Sequence, residues 1–122
     1  MGLKFGRWIQ DKRLERKITL RAFAERVGIG AGYISDIENG KKDAPQKEIL
    51  ERMAKVLLLS KSDTAELYDR AAEDKNTVAM DIPDYIKDKT PLIKFLRVTK
   101  EKGWGTKEWE EFIKKVERDT DD

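Results

Sequence analysis

The chain has 122 residues, which is enough for one small domain with an appendage but not for two large domains. It carries 26 Lys and Arg against 24 Asp and Glu, and its charged share of 41% exceeds the usual share of about 25%. Cysteine and histidine are both absent, which excludes disulfides, thiolate zinc sites, Cys or His nucleophiles and the commonest general base. The longest apolar run is Val56–Leu59, and the first residues contain no apolar signal core, so we expect no membrane span and a cytoplasmic location.

The charge is unevenly distributed along the chain. Residues 1–60 hold 13 basic and 8 acidic side chains, a balance of +5, whereas residues 61–122 hold 13 and 16, a balance of −3. A basic front half indicates that one end of the chain meets a polyanion. A solvated surface with a chance asymmetry explains the same numbers, so charge alone does not decide between the two interpretations.

Helical spacing of apolar residues predicts an all-α fold. The first part of the chain should form five helices, over about 3–17, 20–27, 31–39, 45–58 and 61–72. Thr19 and Ser60 are good N-cap residues for the second and fifth helices, and Gly28 and Gly40 are suited to end the second and third. No alternating pattern typical of a β-strand occurs in the sequence.

The rest of the chain predicts a small helical extension. Residues 73–80 form the only plausible linker, and the signals after it predict helices over about 82–89, 91–103 and 107–116. We therefore expect a domain over 1–72, a linker over 73–80 and an extension over 81–122 that supplies or supports a dimer interface. The alternative is that the extension folds back on the fifth helix of its own chain. The stripe of Trp109, Phe112 and Ile113 is more typical of a core than of a ligand site.

Residues 18–40 have the pattern of a helix-turn-helix unit, in which two short helices are joined by a turn that contains glycine. Ala24 is small where two helix backbones must approach, and Gly28 permits a left-handed turn. Apolar residues then fix the second helix of the pair on the first and leave its opposite face free: Ile29, Ile34 and Ile37.

Two segments carry a family resemblance, TLRAFAERVGI at 19–29 and YISDIENGKK at 33–42. Together they resemble the Xre family of helix-turn-helix regulators, of the lambdoid repressor and Cro type. Pro45 and residues 48–57 are similar to the fourth helix of that family. The resemblance covers residues 3–72 and implies a five-helix, lambda-repressor-like DNA-binding domain.

The resemblance also implies a role for individual residues. The recognition helix would be 31–39, and its candidates for contacting base edges are Ala31, Gly32, Tyr33, Ser35 and Asp36. The candidates for contacting phosphate are Thr19, Leu20, Asn39, Lys41 and Lys42. Arg13 and Glu38 would form a structural ion pair between the first and third helices.

The sequence departs from the family pattern at the start of the recognition helix. Ala31 and Gly32 cannot make the hydrogen bonds that discriminate bases, and Leu20 stands where relatives often have glutamine. Base discrimination would therefore depend on Tyr33, Ser35 and Asp36, with Ala31 in contact with a thymine methyl group.

Each assignment has a simpler alternative. Tyr33 could cover the core, Asp36 could be solvated or bound within the chain, and Lys41 and Lys42 could form an ordinary turn. Arg13 and Glu38 could be separate exposed charges.

No pattern indicates an enzyme or a bound cofactor. Asp81, Asp84 and Asp88 recur without the glycine of a metal-binding loop, and the segment GWG at 103–105 lacks the Gly-Lys-Ser/Thr of a phosphate loop. The sequence therefore predicts a sequence-specific regulator of transcription that binds double-stranded DNA, a homodimeric repressor of bacterial or phage origin associated with the nucleoid. The alternative is a protein-interaction module on the same fold, such as an antitoxin or a partner-binding adaptor.

Overall fold

A computed structural model describes residues 3–120, and within this range it contains eight α-helices and no strand. The helices are α1 (Leu3–Glu15), α2 (Leu20–Val27), α3 (Ala31–Glu38), α4 (Lys47–Val56), α5 (Lys61–Lys75), α6 (Asp81–Ile86), α7 (Thr90–Glu101) and α8 (Thr106–Thr120). The all-α prediction is confirmed, and the predicted helices agree with the observed ones to within a few residues at most ends.

The chain divides into two compact units, of which the first ends at Asp84 and the second begins at Tyr85. The fifth helix continues to Lys75, beyond the end expected at residue 72, and Asn76 ends it in a left-handed conformation with φ 51°. Ala79 is buried in the core of the first unit and Met80 packs against it. Much of the expected linker 73–80 is therefore helix or packed surface, because apolar residues in it cover the first unit.

The core of the first unit is built from the inward faces of its first five helices. In this unit α1 packs on α3 and α5, α2 packs on α3 and α4, and α4 packs on α5. The largest fully buried apolar side chains are Phe5, Ile9, Phe23, Val27, Ile34, Ile37, Leu50, Met53, Leu57 and Leu67. Burial of each such side chain contributes about 1.5–3 kcal/mol to the free energy of folding. Burial of this core is therefore the main stabilising contribution in the first unit.

Local signals set the ends of α2, the first helix of the helix-turn-helix. The Thr19 hydroxyl accepts a hydrogen bond from the Ala22 amide at 3.1 Å, as an N-cap does. Gly28 adopts φ 86° and its amide donates to the Ala24 carbonyl at 2.9 Å. Arg52 donates to the Val27 carbonyl at 3.0 Å and so occupies one of the acceptors that a helix end leaves open. These contacts fix the turn that leads into α3.

Gly6 lets α1 lie against the end of α3. A Cβ atom placed on Gly6 would overlap the carbonyl oxygen of Ile37 and lie 2.8 Å from that of Glu38. A glycine inside a helix normally lowers helix stability, so its presence there is explained by this close approach of two backbones.

The second unit is a hairpin of α7 and α8 held together by four aromatic rings. Phe95, Trp104, Trp109 and Phe112 contact one another with ring centroids 5.0–6.1 Å apart. Ile113 was expected beside Trp109 and Phe112 in the core, but its side chain is 52% exposed. The two helices share one half-buried aromatic seam, and Ile113, the residue next to Phe112 on α8, is exposed outside it.

Two glycines on the interacting helices should respond oppositely to alanine. Gly6→Ala should lower the free energy of unfolding by about 1–3 kcal/mol or more, because the new methyl group displaces the α3 backbone. Gly32→Ala adds a methyl group with no atom within 4 Å and should raise it by up to about 1 kcal/mol through helix propensity. Urea denaturation measures both, and a stabilised Gly6→Ala variant would contradict the close approach.

Candidate nucleic-acid interface

The helix α3 buries one side and leaves the other accessible. Ile34, Ile37 and Glu38 are its buried residues. Gly30 precedes the helix in an extended conformation and makes no side-chain cap. All five residues expected to contact bases are at least partly exposed: Ala31, Gly32, Tyr33, Ser35 and Asp36. The helix therefore has a free face on the side opposite its buried seam.

The five residues expected to contact bases differ in the contacts that they make within the chain. Tyr33 and Ala31 pack against the core while part of each stays accessible, so covering the core and contacting a ligand are compatible. Space around Gly32 is open. The Ser35 hydroxyl accepts a hydrogen bond from the Asn39 side-chain amide at 3.3 Å. Within the described chain the Asp36 carboxylate has no ion pair or hydrogen bond.

The turn after α3 is held by its backbone and presents two cations. The amides of Lys41 and Lys42 both donate to the Asp36 carbonyl, at 2.8 and 3.2 Å, and Gly40 adopts φ 77°. Both lysine side chains are exposed, and neither forms an ion pair with any residue in 3–120. Asn39 is exposed at the end of the helix. Rigid backbone with unpaired cations is the arrangement that phosphate contact requires.

The start of α2 contributes backbone more than side chains. The Thr19 hydroxyl already serves as the N-cap, and Leu20 is partly buried against the core. Contact of these two residues with phosphate would thus depend on their main-chain amides, which point out of the helix N-terminus.

A buried ion pair joins α1 to α3. Arg13 donates to both Glu38 carboxylate oxygens, at 2.7 and 2.8 Å, and its third nitrogen donates to the Ile18 carbonyl at 2.9 Å. The two side chains are 7% and 2% exposed. Hydrogen bonding to Glu38 raises the pKa of Arg13 above its ordinary value, while burial opposes this and the charge of Glu38 adds to it. The structure thus brings together the two residues expected to pair, in a two-pronged geometry that only arginine can make.

A second arginine, which the sequence analysis did not single out, fixes the turn between α4 and α5. Arg16 donates to the carbonyls of Leu57 and Leu58 at 2.9 and 3.0 Å. The sequence contains no signal for this contact, because an arginine near a helix end is equally typical of a solvated face. Gly6 did leave a signal, since glycine is unusual inside a helix.

In the described range no group of three or more acidic side chains could hold a metal ion. None of the helices in residues 3–120 combines the length and the apolar character that crossing a membrane requires.

Comparison with known proteins identifies the first unit. The model of the helix-turn-helix family HTH_3 matches residues 9–63, which include α2, α3 and the turn between them. The ImmF control region 10 kDa protein of Bacillus phage phi105 is 36% identical over 80 residues, covering 58% of this chain and 88% of that protein. This chain belongs to the helix-turn-helix family.

Other relatives agree with the assignment. The HTH-type transcriptional repressor RghR of Bacillus subtilis is 38% identical over 53 residues, which cover 43% of this chain and 39% of RghR. The chain thus spans about two fifths of the length of the Bacillus subtilis relatives it matches. A chain of the SinR protein/SinI protein complex has a TM-score of 0.50 at 23% identity, covering 97% of this chain and 99% of that one, which supports the fold. The Xre-type resemblance is confirmed, and both Bacillus subtilis relatives are named as transcriptional regulators or repressors, in agreement with the prediction of a non-enzyme.

Breaking the ion pair from either side should destabilise the protein strongly. Arg13→Met leaves the Glu38 carboxylate buried without its partner, and Glu38→Leu leaves the Arg13 guanidinium in the same state. Each substitution should therefore lower the free energy of unfolding by about 3–5 kcal/mol. The double variant should cost less than the sum, because no charge remains stranded. Thermal and urea unfolding measure the effect.

The matched control is Glu66→Gln, which removes the more exposed ion pair between Arg70 and Glu66 on α5. This substitution should lower the free energy of unfolding by less than about 1 kcal/mol. Equal losses in the control and in the Arg13 variant would show that burial does not strengthen the α1–α3 pair.

Proposed function

We propose that this chain is a sequence-specific regulator of transcription that binds double-stranded DNA as a homodimeric repressor. The observation that carries the proposal is the free face of α3 followed at once by the unpaired Lys41 and Lys42. In helix-turn-helix proteins the second helix enters the major groove, and dimers bind half-sites about one helical turn apart. The name of RghR as a repressor supports the direction of regulation.

The phosphate contacts come from the two ends of the helix pair. Lys41 and Lys42 supply charge, Asn39 supplies a side-chain amide, and the main-chain amides at Thr19 and Leu20 approach the backbone. Such contacts position the protein and carry no sequence information.

The base contacts come from the polar side of α3. Ser35 and Asp36 can exchange hydrogen bonds with base edges, and Tyr33 can add an aromatic contact. Ala31 and Gly32 have small side chains, so the backbone at the start of α3 can lie close to the bases in the groove. The Ala31 methyl group can then contact a thymine methyl group.

Two double variants should separate these roles. Lys41→Ala with Lys42→Ala should weaken binding to every sequence about equally and reduce the salt slope of log K by up to about two, because up to two phosphate contacts are lost. Ser35→Ala with Asp36→Ala should instead relax preference at particular base pairs, by about 1–3 kcal/mol for each good contact. Selection of bound fragments from random DNA, followed by salt titration of the selected site, measures both effects.

Each double variant serves as the control for the other. An unchanged salt slope in the lysine variant would remove Lys41 and Lys42 from the interface. An unchanged consensus in the Ser35 and Asp36 variant would mean that specificity comes from DNA shape and not from these side chains.

The homodimer is proposed on the surface of the second unit. The hairpin exposes apolar side chains that a monomer would leave in water: Leu96, Val98, Ile113 and Val116. Ile113 and Val116 lie about 60° apart on α8 and form one exposed apolar strip, which suits a two-fold interface between copies. Dimerisation would also join two recognition helices, so that the second half-site binds at high effective concentration.

Ile113→Asp in the full chain should convert the dimer to a monomer, as measured by sedimentation, and operator affinity should fall with it. The charged side chain costs little in a monomer, since Ile113 is already half-exposed, but it would be buried without a partner in the dimer. Lys114→Asp is the matched control on the neighbouring exposed position and should stay dimeric. A dimeric Ile113→Asp variant would place the interface elsewhere.

The same apolar face favours a second candidate, binding of a different protein by this module. A gel shift with bulk genomic DNA at low and moderate salt separates the two candidates. Absence of DNA binding at both salt concentrations would favour the protein-interaction module.

A further inference from the structure

The rear half of the chain is not uniformly acidic but consists of three blocks. Residues 61–86 hold three basic and seven acidic side chains, residues 87–107 hold seven and two, and residues 108–122 hold three and seven. The net charges are therefore −4, +5 and −4. The net charge of −3 for residues 61–122 therefore conceals a positive block between two negative ones.

The positive block coincides with α7 and its C-terminal end. Lys94, Arg97, Lys100 and Lys102 are all exposed, and Glu101 is the single acidic residue among α7 and its cap. None of the four cations forms an ion pair or a side-chain hydrogen bond with any residue in 3–120.

Within residues 3–120, the α7 cations do not pair with the acidic side chains of α8 in the same hairpin. Glu108, Glu110, Glu111 and Glu117 all lie on α8, yet none of them bridges to an α7 cation in the described chain. The hairpin is closed by aromatic rings, and in the described chain no charge pair joins an α7 cation to α8.

Three of the cations share one side of the helix. At 100° per residue, Lys94, Arg97 and Lys100 fall within a sector of about 120° and span about 9 Å along the axis. Phe95 lies about 160° around the helix from Arg97 by the same geometry, and its ring faces the aromatic seam. The cationic row is therefore on the side of α7 away from Phe95, and the exposed Glu101 lies in the same sector at its C-terminal end.

We propose that this row on α7 is a second DNA contact, which binds backbone phosphates of the duplex that α3 contacts. The proposal rests on the proposed function, because it needs a duplex already bound by the first unit. The α7 helix begins six residues after Asp84, so it is covalently joined to the first unit by a short segment. Binding of DNA by the first unit therefore raises the effective concentration of phosphates around the row. Exposed cations of this kind supply sequence-independent affinity, and they suit a regularly charged polymer better than a folded protein surface.

The test uses the full chain and the selected operator, with random DNA as the second ligand. Lys94→Gln, Arg97→Gln and Lys100→Gln together should reduce the magnitude of the salt slope by up to about three. Affinity for operator and for random DNA should fall by the same factor, so the sequence preference is retained. Lys94→Arg with Lys100→Arg, which keeps the charge, should leave the slope as in the unmodified chain.

The matched control removes three cations from the other helix: Lys114→Gln, Lys115→Gln and Arg118→Gln. All three are exposed on α8 within the acidic block, and their loss should leave the salt slope unchanged. An α7 variant whose slope equals that of the unmodified chain, or of the α8 control, would overturn the proposal. If the Lys41 and Lys42 variant still reduces the slope in that case, DNA binding by α3 stands and the α7 contact alone fails. If the unmodified chain binds no DNA, the proposed function fails first.

Discussion

The orientation of α3 depends on a buried contact between one guanidinium and one carboxylate. Arg13 holds both oxygens of Glu38 and the carbonyl of Ile18, so a single side chain connects α1, the end of α3 and the segment just before α2. Two charges removed from water are tolerated because each has its partner and further hydrogen bonds. Gly6 permits the same approach sterically. Together they fix the axis of the helix whose outer face is free.

The turn that follows the free face of α3 is held by backbone hydrogen bonds, and its two lysine side chains have no ion pair within residues 3–120. Backbone amides of Lys41 and Lys42 are used internally on the Asp36 carbonyl, whereas their side chains are not. A rigid frame with unpaired cations reduces the ordering cost when a polyanion binds. The same principle separates Lys41 and Lys42 from Arg16 and Arg52, whose charges are already engaged with carbonyls.

The two units differ in the side chains that form their interiors and in those that they leave exposed. The first unit buries a continuous core of aliphatic and aromatic side chains, whereas the second closes on four partly buried aromatic rings and leaves both apolar and cationic side chains exposed. A hairpin of two helices has only one seam, so surplus side chains remain available for association. Ile113 on α8 and the cationic row on α7 belong to different sets of these exposed side chains.

Apolar spacing together with Thr19, Gly28 and Gly40 was sufficient to predict the helix content, the helix-turn-helix and its family, because these signals act within a few residues. It also suggested the Arg13–Glu38 pair through family resemblance. Only the tertiary structure showed that this pair is buried, that α5 continues to Lys75 and that Ile113 faces outward. It also showed that the α7 cations have no partners in the described chain. The end of α5 follows from the left-handed Asn76, whereas the other three properties depend on which side chains of other helices lie nearby, and the local spacing of residues does not encode that.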